Sequence, residues 1–130
     1  MNPNSDNAVQ VVCEFWRLMS SNDFSAVGAM LADNYVLDWP QSNERIQGRE
    51  KFAAVNAEYP SHGKWIFTMH RVFGNAAEVV PEVSVTDGVQ NAKVISFFTV
   101  HHGKITHQVE YWPEPYAAPA NRQHLVEAIE

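Results

Sequence analysis

Two carboxylates in this chain stand next to tryptophans, and that juxtaposition is the first candidate for chemistry. Asp38 ends a short apolar run and is followed by Trp39; Glu110 lies two residues before Trp112. A carboxylate against an indole is partly desolvated, which raises its pKa and suits it to take up a proton. The alternative for Asp38 is a loop cap that binds backbone amides after the run. Glu110 lies in the middle of a strand-like stretch, and a buried carboxylate needs a partner. His70, Arg71 and Arg122 are the candidates, and the alternative role is a structural ion pair or hydrogen bond anchoring the C-terminal segment. His70, between Met69 and Phe73, reads either as a pocket acid/base or as a satisfied core histidine. Glu82 interrupts a valine-rich run, and its face stays open because Pro81 can mark a bulge.

Other chemistries find little support. His101 and His102 are adjacent and flank a turn, so they point apart, and no pair of histidines has helical ligand spacing; neither a metal nor any cofactor is expected. There is no nucleophile elbow, phosphate loop or dinucleotide fingerprint. The single cysteine excludes an internal disulfide. Cys13, beside Val11, Val12 and Phe15, reads as a small buried hydrophobe. The 130 residues carry nine Lys and Arg against fifteen Asp and Glu, a net charge of −6, with no basic cluster. That balance argues against nucleic acid and against an anionic membrane surface as partners. Met1 to Asn7 has no signal-peptide pattern and no stretch is long enough to span a bilayer, so the expected location is cytoplasmic.

The elements that must position these groups fall into two halves of one domain, residues 1–130. Asn4 to Asn7 can cap a helix starting near Ala8, whose Val9, Val12, Cys13, Trp16 and Met19 recur at helical spacing. Ser20 to Asp23 break it and cap a short second helix bearing Phe24, Val27 and Leu31. Tyr35 to Trp39 reads as a strand, Gln41 to Gln47 as a polar loop, and Gly48 opens a third helix with Phe52, Val55 and Tyr59 on one face. The period then changes from helical to alternating. Trp65 to Phe73, Glu78 to Thr86, Ala92 to His101 and Ile105 to Trp112 read as strands joined by short turns at Gly74-Asn75, Asp87-Gly88 and His102-Gly103. Short connections force antiparallel pairing. The expectation is α+β, with helices on one face of a curved sheet and Ala120 to Glu130 as a short terminal helix or covering tail.

Three stretches give the chain a family likeness: Leu31-Ala32-Asp33-Asn34-Tyr35-Val36-Leu37-Asp38-Trp39, Gly48-Arg49-Glu50, and Gly103-Lys104-Ile105-Thr106-His107-Gln108-Val109-Glu110-Tyr111-Trp112. In order and spacing they resemble the nuclear transport factor 2-like superfamily, and within it the SnoaL-like group. The resemblance implies a cone-shaped, curved antiparallel sheet wrapped around the N-terminal helices, an α+β barrel with one deep pocket. By resemblance to ketosteroid isomerases, the face carrying Thr106, Gln108, Glu110 and Trp112 lines that pocket, with Ile95, Phe97 and Thr99 beside it. The outer face then holds Val94, Ser96, Phe98, Val100 and Val109 and supports a homodimer.

Asp38 stands where those isomerases place a catalytic Asp, and Glu110 where limonene epoxide hydrolases place an acidic residue. Asp38, Glu110 and His70 are thus the catalytic candidates. Trp16, Tyr35, Trp39, Trp65, Phe97, Thr99, Gln108 and Trp112 are the ligand-binding ones, for a small apolar molecule. The oxyanion donors of the isomerases have no counterpart in kind: the nearest positions are Phe15 or Trp16, and Ile95 or Ser96. The hydrolases' Asp-Arg-Asp relay and the cyclases' His-Trp-Asp stretch are likewise incomplete. Acid–base catalysis of isomerase, cyclase or hydrolase type and a non-catalytic binding or dimerisation module are the two readings that result.

Overall fold

A computed structural model describes residues 3–129. Met1, Asn2 and Glu130, which the sequence reading counted in the polar N-terminus and the terminal segment, lie outside the described residues. The N-terminal helix α1 spans Pro3–Met19, so Asn4 to Asn7 fall within its first turns rather than ahead of it. Ala8, Val11, Val12, Phe15, Trp16 and Met19 form its buried stripe, the three-and-four spacing of a helix that packs on one side. Cys13 is exposed, which corrects its assignment to the core. Adjacency to Val12 in sequence is a rotation of about 100° on a helix, enough to turn the thiol away from that stripe.

A 3-10 turn, Ala26–Met30, leads directly into strand β1, Leu31–Trp39. The expected polar loop instead contains strand β2, Glu44–Gln47, which folds back antiparallel on β1 with Asp38 opposite Arg45. Only Ile46 of β2 is buried. A four-residue edge strand with one apolar side chain leaves almost no alternating signal. Gly48 has φ 87° and its N–H donates to the Tyr35 carbonyl at 2.9 Å. That left-handed geometry lets the chain turn from β2 into helix α2, Arg49–Glu58.

Strands β3 (Ile66–Gly74), β4 (Glu78–Thr86), β5 (Asn91–His101) and β6 (Lys104–Tyr111) form the antiparallel meander. Strand β1 then pairs with β6 in parallel, so the sheet is mixed, in the order β2-β1-β6-β5-β4-β3. It is curved and unclosed, with α1 and α2 against its inner face.

The faces of β5 are the reverse of those expected. Val94, Ser96, Phe98 and Val100 are buried on the inner side, while Phe97 is 48% exposed. Both faces of β5 are apolar, so alternation alone does not choose between them. Register does: Ser96 pairs with Glu110 and Phe98 with Gln108, and paired residues share a face. Thr106 also leaves the inner face. Thr99 pairs with His107 and Val100 with Ile105, so Thr106 is the extra residue of a bulge and Ile105 takes the inner position. The chain after β6 is mostly exposed and contains a second 3-10 turn, Ala120–Leu125. No helix among the described residues is long and apolar enough to cross a membrane.

Candidate functional site

A cavity of about 130 Å³ lies between the inner sheet face and the helices. Phe15, Trp16 and Met19 of α1, Leu37 of β1, Phe52 of α2 and Phe67 of β3 give it apolar walls. Gln108 and Glu110 of β6 and Trp112 just beyond form its polar side. Asn56, Tyr59, Gln90 and Asn91 also line it. Phe15 and Phe52 are buried, whereas Tyr59 is 54% exposed, so the cavity runs from the core out to solvent.

Glu110 is the centre of the polar side. Its carboxyl is buried, and burial pushes its pKa above the ordinary 4.5 against four side-chain donors that pull the other way. Trp39 Nε1 donates to Oε1 at 2.9 Å, while Ser96 Oγ and Gln108 Nε2 donate to Oε2 at 2.9 and 2.7 Å. The Trp112 side chain is the fourth. Behind Gln108, the Tyr35 hydroxyl donates to its Oε1 at 2.7 Å. Burial, followed by the charge of Glu110, pushes the Tyr35 phenol well above its usual range. The result is a chain from Tyr35 through Gln108 to a carboxyl with no cation beside it among the described residues.

None of the cations expected to partner Glu110 does so. Arg71 Nε holds Glu82 at 2.7 Å, with Lys93 Nζ at 3.4 Å from the same carboxylate. Arg122 lies in the exposed terminal turn. His70 is exposed on β3 where the register shifts between Met69 and Arg71, and its Nε2 meets Ser84 Oγ; it is neither in the cavity nor in the core. The bulge in this pair sits at His70 on β3 and not at Pro81, and Glu82 points outward.

Asp38 is the largest correction. Tyr35, Leu37 and Trp39 alternate inward along β1, so Asp38 points to the outer face. There Arg45 binds it through Nε at 2.7 Å and Nη2 at 3.0 Å, and His107 Nε2 lies at 2.9 Å. The Arg45 hydrogen bond, opposed by partial burial and helped by His107, holds the carboxyl down at about 2. It is thus a weaker base than an ordinary Asp, and its apposition to Trp39 is in sequence alone. Phe97 and Thr99 are also on the outer face, where the Phe97 ring packs edge-on to Tyr111 at 6.2 Å.

Of the residues named as ligand-binding, Trp16, Trp65, Gln108 and Trp112 line the cavity, and Tyr35 and Trp39 stand behind its polar side. Sequence reasoning missed Phe24, Phe52, Asn56, Phe67, Gln90 and Asn91 as lining residues, and Ser96 as a donor to Glu110. Only the register that pairs Ser96 with Glu110 identifies that donor. It also read Asp87 as no more than a turn residue. Asp87 is buried and accepts from the backbone N–H of His62, Val89 and Gln90 at 2.8, 2.9 and 2.7 Å and from Gln90 Nε2 at 2.9 Å. These bonds hold its carboxyl far below the usual range and fix the loop that places Gln90 at the cavity.

One buried polar atom of a cavity-lining residue stands apart. Trp16 is 5% exposed, and among the described residues its indole Nε1 is the buried side-chain polar atom left without a hydrogen-bond partner. Among the described residues no three His, Cys, Asp or Glu side chains converge in a way that could hold a metal ion.

The family described as SnoaL-like domain matches residues 12–108. Among solved structures, the chain is similar to a candidate ketosteroid isomerase from Kribbella flavida, with 27% identity and a TM-score of 0.88 over 98% of this chain and 93% of that one. It is also similar to an NTF-2 like protein of unknown function from Burkholderia xenovorans, at 28% identity and a TM-score of 0.79 over 96% and 97%. An LEH-like epoxide hydrolase from M. tuberculosis shares the fold at 24% identity and a TM-score of 0.70, over 85% and 86%. No curated protein matches the chain.

Proposed function

Starting from the chain's membership of the SnoaL-like domain family, we propose that it binds a small, largely apolar molecule in the aromatic cavity and that Glu110 exchanges a proton with it there. The observation that carries this is Glu110 itself: a buried carboxyl on the cavity wall, held by uncharged donors, with its pKa raised by burial. A carboxyl so placed has a proton affinity shifted toward neutral pH, which is where general acid–base catalysis is most effective. Gln108 and Ser96 fix its orientation, and Tyr35 fixes Gln108. The similarity to a candidate ketosteroid isomerase is consistent with proton transfer next to a carbonyl, although fold likeness alone assigns no reaction.

In that reaction the Glu110 carboxylate takes a proton from the carbon beside the carbonyl. The C–H electron pair moves into a new C=C bond and the carbonyl π pair moves onto oxygen. Return of a proton from Glu110 reverses or relocates the bond. The test is hydrogen–deuterium exchange at the α-carbon of small cyclic ketones in D2O, followed by proton NMR. The wild type accelerates exchange, Glu110→Gln loses roughly 10²- to 10⁴-fold of it, and Asp38→Asn keeps it. Equal exchange by wild type and Glu110→Gln overturns the reading.

A second reading, a binding module without turnover, is favoured by one observation: among the described residues no Lys, Arg or His lines the cavity to stabilise a developing oxyanion. Ketones that bind to the wild type without exchanging would support it. For assembly, we propose a homodimer through the outer sheet face, supported by Phe97, Tyr111 and Phe73, which are exposed there at 48%, 39% and 67%. Of the outer-face residues first expected, Val94, Phe98 and Val100 are buried inside, and only Val109 stays outward, opposite Phe97.

A further inference from the structure

The cavity wall carries an acidic group that the protein does not balance with a positive one. Glu110 is the one acidic side chain in the lining, and among the described residues no Lys, Arg or His lines the space with it. Its hydrogen bonds come from the neutral donors Trp39, Ser96 and Gln108. Those donors orient the carboxylate and lower the cost of burying it, but they bring no counter-charge, and burial still pushes its pKa up. Charges buried in a protein are normally paired. Two arginines of the sheet are engaged elsewhere, Arg45 with Asp38 and Arg71 with Glu82.

The rest of the lining is mainly aromatic, with Phe15, Phe52, Tyr59, Trp65, Phe67 and Trp112 around the same space. Phe15 and Phe52 meet at 60° and Tyr59 and Trp65 at 69°, so the rings stand at angles to one another rather than in a flat stack. A ring face is the negative end of its quadrupole and attracts a cation, and quaternary ammonium groups are the cations that aromatic cages take. A carboxylate or phosphate would be repelled by Glu110 and by the ring faces alike. A primary ammonium would give up more hydration than the few polar atoms here return, whereas methyl groups around the nitrogen match the apolar walls. At about 130 Å³ the space approaches the roughly 150 Å³ of an apolar cavity that accepts one benzene ring, which suits one compact head group. We propose that the cavity takes a small organic cation, a methylated ammonium, held by the aromatic rings and by the charge of Glu110. This rests on the cavity being the ligand site, as proposed above, and adds the ligand's charge; uncharged ketones of similar bulk use the same space at lower affinity.

The experiment is a titration of ¹⁵N-labelled protein with choline and with 3,3-dimethylbutan-1-ol, which has the same shape with carbon in place of the charged nitrogen. Both are expected to shift signals of the lining residues, with choline binding at least roughly tenfold more tightly. Glu110→Gln should lower the affinity for choline roughly tenfold and leave that for the alcohol level. Equal affinities for the two probes in the wild type, or a preference for choline that Glu110→Gln leaves intact, overturn the cation held by Glu110 and leave the cavity reading standing. Absence of any shift in the lining residues with either probe overturns both. Should Glu110→Gln not fold, the wild type decides with 3,3-dimethylbutanoate as a third probe, the same branched head with a negative end. Its binding should be the weakest of the three, and binding as tight as that of choline overturns the proposal.

Discussion

Glu110 is stabilised by hydrogen bonds and destabilised by burial, and the balance sets its pH signature. Its folded pKa is raised above 4.5. A carboxyl with a raised folded pKa contributes stability below its unfolded pKa and loses it as pH climbs through the folded one. The wild type should thus lose stability relative to Glu110→Gln as pH rises from about 4.5. Melting temperatures of both proteins between pH 4.5 and 8 check this, and a difference that grows in favour of the wild type with pH contradicts it. Asp38 has the opposite sign. Its pKa is held at about 2, so its contribution is present at neutral pH and fades only in strong acid. Two carboxylates that look alike in sequence differ because one points inward to neutral donors and the other outward to Arg45.

At the scale of elements, the cavity is shaped by the connections between them. Asn22 has φ 62°, a conformation Asn tolerates better than most residues, and its side chain both accepts from the Trp65 N–H and donates to the Trp65 carbonyl, each at 2.8 Å. The loop after α1 thereby fixes the start of β3 and one cavity wall. Asp87 does the same for the β4–β5 connection. Replacing it with Asn puts an NH2 where His62 N–H and Gln90 Nε2 now donate. Asp87→Asn should lower the denaturant midpoint of unfolding, since bonds to a charged acceptor are stronger than neutral ones. It should also weaken cyclohexanone binding through Gln90; an unchanged midpoint and affinity would show the loop to be held by other means. The meander strands were legible because turn residues punctuate them. Strand β2 was not, because a short polar edge strand is defined by its hydrogen bonds to β1 rather than by its side chains.

For the molecule as a whole, the sheet separates two environments. The inner face closes on the helices and the cavity; the outer face carries Phe97 and Tyr111 in the open, with the Asp38–Arg45–His107 cluster farther along the sheet. An outer-face homodimer predicts that Phe97→Lys shifts sedimentation from dimer to monomer at micromolar concentration and leaves ketone binding intact, because Phe97 does not line the cavity. A wild type that sediments as a monomer at that concentration rules the dimer out.

Helical spacing and turn residues in the sequence determined the α+β class and the order of most elements, since each is a local property of the chain, and three short stretches carried the resemblance to the family. The faces of β5, the partners of Glu110 and the exile of Asp38 from the pocket were decided only by tertiary structure. Both sides of β5 are apolar, and neighbouring residues on a strand point in opposite directions. Which side is inside thus depends on the register between β5 and β6, a contact between distant residues that no local pattern encodes. The same register sets Ser96 of β5 against Glu110, while Gln108 reaches it from two residues away on β6 itself.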